Sequence, residues 1–505
     1  MLELDSAVVS KGIDIMVVDG EIVKLERPED IYAMTAAVDA SERYIVKRIL
    51  EMRDNVAKFT YSDASSIIQK TESELGISYA DLQREALFRS LMSGVTIITG
   101  GPGTGKTTIV KAMISIFSDM GLKTVLSAPT GRAAKRLSEA TSSEAKTIHR
   151  LLEMEKNEAG DFRFRRNALS PLEEDVVIVD EVSMVDLALF DALLHAIPRG
   201  ARLVLIGDAD QLPSVGSGNV LGDLISSGVV DVVRLKDIFR QSKESLIITN
   251  AHNVNSGIAP VLTSTDNDFF FVRRENEHEI ASTIASLILE RLPKTYGKDI
   301  SSQIQVISPS RKGLGGIDVL NRALQEYMNP PDVSKREKLV KGMLFRVGDK
   351  VIQTVNNYEI EWVRGVKMSL MSVEFPKPGK TGERGFGVFN GDIGVIDRML
   401  FEEGFFTIKF DDRLVKYPLD NLEDLELAYA ITVHKSQGSE YPVVIIPVYN
   451  CNRMLMTRNL LYTGITRAKK MVILVGRAEI PGRMAENNLE MMRYTMLASR
   501  LTEGE

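Results

Sequence analysis

Short β-branched runs that end in Gly, Pro or Asp recur along the chain, and they constrain its fold more than any other feature. VTIITG from Val95, VLSAP from Val125, VVIVD from Val176, RLVLIGD from Arg202, IQVISPS from Ile304, VVIIPV from Val443 and MVILVG from Met471 are apolar without alternation. Strands covered on both faces read this way. Amphipathic stretches such as 107–120 lie between most of these runs, and parallel strands need such crossovers. The expectation is an α/β protein with two parallel-sheet domains, one on each side of about Leu235.

A length of 505 residues allows three to four domains, and 44% apolar with 26% charged residues is ordinary for a soluble globular protein. The net charge of -7 excludes coating by nucleic acid through bulk charge, so a polyanion partner has to meet a local basic groove. The single cysteine, Cys451, excludes an internal disulfide or a cysteine-based zinc cluster, and five scattered histidines offer no structural metal site. The N-terminus carries acids early and lacks the apolar core of a secretory signal. The longest apolar runs, such as 443–448, fall far short of a membrane span. A soluble cytoplasmic protein is expected.

Three segments break the α/β rhythm. In residues 1–78, MVVDGEIVKL offers a hairpin turn at Asp19-Gly20 and residues 28–53 read as a helix with an apolar face. Residues 153–174 interrupt the first α/β domain with EKNEAGDFRFRRN, a charged two-strand pattern around Ala159-Gly160. Residues 343–425 alternate in short runs, with turns at Asn390-Gly391-Asp392 and Asp411-Asp412, and hold the only tryptophan, Trp362. A small antiparallel barrel inserted in the second α/β domain fits that pattern. The expected layout is therefore an N-terminal domain (1–78), a first α/β domain (79–235), a second (236–342 and 426–480) around the insertion, and a tail (481–505).

GGPGTGKT, residues 100–107, fits G-x-x-x-x-G-K-[ST] between a strand and a helix. About 0.02 chance matches are expected in a chain of this length from average Gly, Lys and Ser/Thr usage. The glycines let backbone N–H groups face phosphates, Lys106 reaches the β and γ phosphates, and Thr107 can ligate Mg²⁺. In VVIVDEVSMVD a buried strand ends in Asp180, placed for the Mg²⁺ shell, and Glu181 follows, placed to orient or deprotonate water.

The order GGPGTGKTT, SAPTGRAAKRL, TIHRLL, DEVSM, GDADQLPSVGSGNVL, FRQ, VHKSQGSE and LLYTGITRAKK resembles that of RecD-like DNA helicases of superfamily 1B. GGIDVLNRALQEYMNP from Gly315 is similar to a stretch of their second motor domain. The resemblance spans roughly residues 83–470. It implies two RecA-like domains, a Src-homology-3-like insertion, and ATP with Mg²⁺ as cofactors. It further implies a nucleotide site in which Gln83 reads the adenine, Gly101, Pro102, Gly103, Thr104, Gly105, Lys106, Thr107 and Thr108 hold the phosphates, and Gln211 senses the γ-phosphate. Gly438 and Glu440 belong to the same site, and Arg240 and Arg467 match arginine fingers that reach the γ-phosphate from the second motor domain. Guanidinium forks suit the charge that develops in phosphoryl transfer.

The nucleic-acid track implied by the resemblance uses Pro129, Thr130 and Arg132, then Thr147, His149 and Arg150 on the first domain, and Thr432, His434, Lys435 and Ser436 on the second. Hydroxyls, amides and cations at strand ends hold successive phosphates without reading sequence. His149 and His434 also suit structural roles. Phe162 and Phe164 alternate with Arg163 and Arg165, as in a hairpin pin that splits duplex; a hairpin packed on its own domain with solvated arginines reads the same way. Many stand-alone members carry tandem helix-hairpin-helix modules at the N-terminus, for which residues 1–78 leave little room.

The expected activity is 5′ to 3′ movement on single-stranded DNA with duplex unwinding, in repair or recombination at the nucleoid. An RNA helicase, or a nucleotide-gated DNA-binding subunit of a larger complex, are the alternatives. No nuclease cluster is visible outside the motor motifs, so nuclease activity would need a partner subunit.

Overall fold

Runs without a polar face have to be covered on both sides, and the chain does this twice. The computed structural model describes residues 6–26, 31–54, 61–156, 162–236, 245–263, 267–365, 383–489 and 493–504. They divide into two compact units, the first made of Met1–Pro129, Ala133–Phe239 and Met491–Glu505, the second of Thr130–Arg132 and Arg240–Glu490. Among the described residues no helix is long and apolar enough to cross a membrane.

In the first unit, six parallel strands lie in the order Asp231–Leu235, Val95–Gly100, Arg202–Gly207, Val176–Val179, Thr124–Ala128, Ala145–Thr147. Every residue of Val176–Val179 and of Arg202–Gly207 is buried, and each Val, Leu or Ile so covered contributes roughly 1.5–3 kcal/mol. Register aligns the C-terminal ends: Thr99 lies opposite Gly207, Val179 opposite Leu205 and Ser127, and Ala128 opposite Thr147. From Val95–Gly100 the chain crosses to Thr124–Ala128 on one side, and from Arg202–Gly207 it crosses to Asp231–Leu235 on the other. The reversal opens a crevice above these strand ends, where α/β sheets bind ligands.

The second unit has five parallel strands in the order Phe269–Arg273, Ala468–Gly476, Tyr441–Val448, Ile304–Ser308, Ala430–Thr432. All seven sequence runs are thus strands of the two parallel sheets. The insertion forms a seven-stranded antiparallel sheet from Lys350–Gln353 to Leu425–Leu427. Asp411-Asp412 makes the expected two-residue turn between Phe405–Phe410 and Arg413–Pro418, and Asn390-Gly391 turns the chain between Glu383–Val388 and Ile393–Leu400.

A buried carboxylate anchors the insertion. Asp349 is fully buried and accepts hydrogen bonds from Gln325 Nε2 (2.6 Å), Asn329 Nδ2 (2.7 Å), the Arg346 amide (2.7 Å) and Tyr429 Oη (2.8 Å). Its donors come from the end of the helix Ile317–Met328, from the first insertion strands and from the chain returning to the parallel sheet.

Three expectations are corrected. Asp19-Gly20 is not a hairpin turn: it ends the helix Ser6–Val18, with Gly20 at φ +74° and bonds from Gly20 N to Val17 O (3.1 Å) and Glu21 N to Met16 O (2.9 Å). A glycine in the left-handed region closes a helix as readily as it turns a hairpin. Residues 28–53 are not one helix. Ile31–Thr35 pairs with Ile22–Glu26, from Ile22 opposite Thr35 to Glu26 opposite Ile31, and the helix is Ala36–Asp54. Residues 481–505 are not a tail, because Glu479–Glu486 is a helix and Leu497–Glu503 packs on the first unit, burying Leu497 and Leu501 against Ala36–Asp54 and Val220–Ser227.

Beside that last helix, Asp223 lies buried in Val220–Ser227, with no hydrogen bond to Oδ2 among the described residues. Burial and the Glu42 carboxylate push it up to about 6, against the nearby Thr495 hydroxyl and the Asn219 backbone. A carboxyl whose folded pKa is raised binds its proton more tightly when folded, so its contribution is most favourable below the unfolded value and is lost as pH rises to about 6. At pH 7.5 the charge then costs up to about 3 kcal/mol. Asp223→Asn is therefore expected to raise the melting temperature at pH 7.5, with the gain shrinking towards pH 5. A gain equal at both pH values in thermal melts would contradict this.

Candidate nucleotide site and nucleic-acid track

The P-loop joins Val95–Gly100 to the helix Lys106–Asp119, with Gly103 at φ +75° and Gly105 at φ +82°. Those left-handed positions let the loop close over its own backbone at no side-chain cost. Thr104 Oγ1 donates to Gly101 O (2.9 Å), and Lys106 Nζ donates to the carbonyls of Gly100 and Gly101 (2.9 Å to the latter). The lysine is thus folded back over the loop. Pro102 and Thr108 are half-buried, and Thr107 is exposed in the first helical turn.

Gln83 lies in the first turn of the helix Asp81–Met92 and is buried. Its Oε1 accepts from Ala80 N (3.1 Å) and its Nε2 donates to Thr104 O (3.5 Å), which ties that helix to the P-loop.

Two strands away, Val176–Val179 delivers Asp180 and Glu181. Glu181 is buried with φ +54°, a left-handed conformation that L residues seldom hold. Its amide donates to Asp180 Oδ1 (2.9 Å). Burial and the adjacent Glu181 carboxylate push the Asp180 pKa up, opposed by Arg136 and Lys106. Arg136 Nη2 donates to Glu181 Oε1 at 2.6 Å and lies 3.9 Å from Asp180 Oδ2. Sequence reading missed Arg136, although it sits within APTGRAAKRL one helical turn after Arg132.

Between these elements, Arg202–Gly207 ends at Asp208, which is almost fully buried. Asp208 Oδ2 accepts from Gln211 Nε2 (3.1 Å), and Ala209 N donates to Thr99 Oγ1 (3.1 Å). Gln211 Oε1 is buried and has no hydrogen-bond partner among the described residues. An unpaired buried amide oxygen is costly and asks for a donor.

Pro129 and Thr130 are half-buried where Thr124–Ala128 gives way to the helix Gly131–Thr141, and Arg132 lies in its first turn. Thr147 ends the edge strand of the first sheet and caps the short helix Ile148–Leu151, its Oγ1 accepting from Arg150 N (3.1 Å). Thr432 does the same for the second sheet, capping Val433–Ser436 from Lys435 N (3.3 Å). The device Thr, apolar, His, basic thus appears once per sheet at matching edges. Each capping oxygen accepts from an amide and keeps its own hydrogen to donate.

His149 is half-buried beside Phe164, with ring centroids 5.9 Å apart, and burial pushes its pKa down. His434 is exposed, Ser436 is buried with Oγ donating to Val433 O (2.7 Å), and Lys435 pairs with Glu426 (2.8 Å), which also holds Arg311 (2.9 Å). Arg150 is exposed.

The hairpin in residues 153–174 pairs Met154–Lys156 with Phe162–Phe164. Arg163 and Glu155 pair across it at 2.8 Å, Phe162 is 56% exposed, and Phe164 packs on the unit's core. Ala159-Gly160 lies outside the described residues, as does Arg240.

Arg467 follows the helix Arg458–Ile465 and is buried, with its fork donating to Thr463 O (3.2 Å), Ser439 O (3.3 Å) and Thr466 Oγ1 (3.3 Å). Gly438 has φ +69°, and Glu440 pairs with Lys469 (3.1 Å).

A P-loop, a strand-end Asp-Glu pair and a strand-end Asp with its Gln are set on neighbouring parallel strands, the arrangement of RecA-like domains. Three family models match the chain: "AAA domain" over residues 83–217, "UvrD-like helicase C-terminal domain" over 427–475 and "ATP-dependent RecD-like DNA helicase SH3 domain" over 320–410. The chain is 35% identical over 407 residues to the ATP-dependent RecD2 DNA helicase of Deinococcus radiodurans, covering 81% of this chain and 50% of that protein. It is 30% identical over 451 residues to the RecBCD enzyme subunit RecD of Mycolicibacterium smegmatis, covering 83% of this chain and 74% of that one. Among solved structures it is similar to Bacteroides Pif1 helicase in complex with ADP-AlF3 and ssDNA, at 18% identity over 84% of this chain and 94% of that chain, with a TM-score of 0.43. The chain belongs to the RecD-like family of ATP-dependent DNA helicases. It spans about half the length of the Deinococcus relative.

Proposed function

We propose that the chain is an ATP- and Mg²⁺-dependent motor that moves 5′ to 3′ on single-stranded DNA and opens duplex ahead of it, in repair or recombination. The observation that supports this most is the row at adjacent strand ends of the first unit: P-loop with Lys106, Asp208 with Gln211, and Asp180 with Glu181. Thr107 and Asp180 offer only hard oxygen donors, which fit Mg²⁺ and would hold it. The ion would offset charge on the β and γ phosphates. Lys106 binds those phosphates, Glu181 orients and deprotonates the attacking water, and Gln211 donates its second Nε2 hydrogen to the γ-phosphate. Arg467, and Arg240 with it, lend guanidinium charge to the transition state.

Thr147 in the first unit and Thr432 in the second each have a hydroxyl hydrogen that suits a phosphate, and the neighbouring Arg132, Arg150 and Lys435 add charge. Phe162 supplies the exposed aromatic of a strand-splitting pin. The test is steady-state ATP hydrolysis with no polymer, single-stranded DNA or single-stranded RNA, followed by unwinding of duplexes tailed at either end. DNA should stimulate turnover well above RNA, Lys106→Ala should abolish it, and only 5′-tailed duplexes should open. Absence of stimulation by either polymer would refute the motor, and stronger stimulation by RNA would move the substrate to RNA.

A further inference from the structure

The loop after Gln211 has a composition that does not hold still by itself. SVGSG, residues 214–218, contains two glycines and no large anchor between Pro213 and the helix Val220–Ser227, and such segments lose much backbone entropy on ordering. One hydrogen bond fastens it to the element that follows Glu181: Leu187 N donates to Ser217 O (3.0 Å). Ser214 Oγ donates to Gly216 O (3.4 Å) within the loop and the Leu187 side chain packs on Gly218, but the most numerous bonds come from the far end of the chain. Arg493 Nη1 donates to Gly216 O (2.5 Å), Gly218 O (2.7 Å) and Ser214 Oγ (3.3 Å), and Nη2 donates to Ser214 O. A single guanidinium therefore gathers three carbonyls of the loop in charge-assisted bonds.

Arg493 is itself held through the residues just C-terminal to it. Thr495 Oγ1 and Met496 N donate to Glu42 Oε1 (2.9 and 3.1 Å), and buried Arg500 pairs with Asp39 and with Glu42 (3.3 Å). All of these residues lie in the first unit. Gln211 is thus fixed upstream by Asp208, which takes one Nε2 hydrogen, and downstream by a loop that Arg493 pins, and the second Nε2 hydrogen is the one that can reach a phosphate oxygen.

We propose that Arg493 is a positioning residue for Gln211, so that the C-terminal segment sets the rate of nucleotide hydrolysis. This rests on the reading of Gln211 as the γ-phosphate sensor. Without the guanidinium the loop samples many conformations, and the amide meets the γ-phosphate in few of them.

The test is a double-mutant cycle on DNA-stimulated ATP hydrolysis with Arg493→Ala, Gln211→Ala and the pair, alongside fluorescent-ATP binding and thermal melts. Arg493→Ala should lower kcat about tenfold with KM changed by less than about twofold, and should add less than about twofold in the Gln211→Ala background. A purely structural residue would instead weaken binding and stack its effect on that of Gln211→Ala. Wild-type kcat in Arg493→Ala, or full additivity, overturns the proposal. If Gln211→Ala turns over normally, it is the sensor reading that falls. Should Arg493→Ala fail to fold, Arg493→Gln carries the same comparisons, because one amide cannot span three carbonyls.

Discussion

Glu181→Gln should lower DNA-stimulated ATP turnover by about two to four orders of magnitude, the usual contribution of a positioned general base, while fluorescent-ATP affinity stays within about threefold. The amide keeps the size of the carboxylate and can still accept from Arg136, which now lies 2.6 Å from Oε1, but it takes no proton from water. The buried setting and the left-handed backbone of Glu181 fix the group where its basicity is used. Single-turnover hydrolysis with pre-bound ATP checks this, since a loss confined to binding disappears there. Turnover within about tenfold of wild type would remove Glu181 from the chemistry and leave it as a partner of Arg136.

Asp349→Ala should destabilise the second unit by about 3–5 kcal/mol, because several buried donors lose their acceptor at about 1–3 kcal/mol each and only partly re-pair. Four donors converge on that carboxylate from Gln325, Asn329, Arg346 and Tyr429, and each left unpaired in the interior carries its own desolvation penalty. Asp349→Asn should rescue little, because its NH₂ group would face donors. Calorimetry reads the effect as a lowered transition for this unit. A melting profile like that of wild type would mean that water replaces the carboxylate.

Much of this architecture is legible in contiguous residues. VTIITG followed by GPGTGKT announces a strand, a phosphate loop and a helix, because glycine spacing and apolar periodicity are local properties of a chain. VVIVDE announces a buried strand ending in two acids for the same reason. Local signals also mislead where one residue type serves two geometries, as at Gly20, whose positive φ closes a helix instead of turning a hairpin. The matching Thr147 and Thr432 caps were readable as TIHR and TVHK, yet their equivalence emerges only when both prove to end edge strands.

By itself, then, the sequence determined the two parallel sheets, the P-loop, Asp180 and Glu181, and the antiparallel insertion with its Asp411-Asp412 turn. The tertiary structure decided which side chains tune them. Arg136 meets Glu181 across 45 residues of chain, Tyr429 meets Asp349 across 80, and Arg493 reaches Ser214 across 279. No periodicity or spacing encodes such pairs, since they arise when separately folded elements pack and bury their polar ends together, and a buried donor takes whatever acceptor the packing brings within reach.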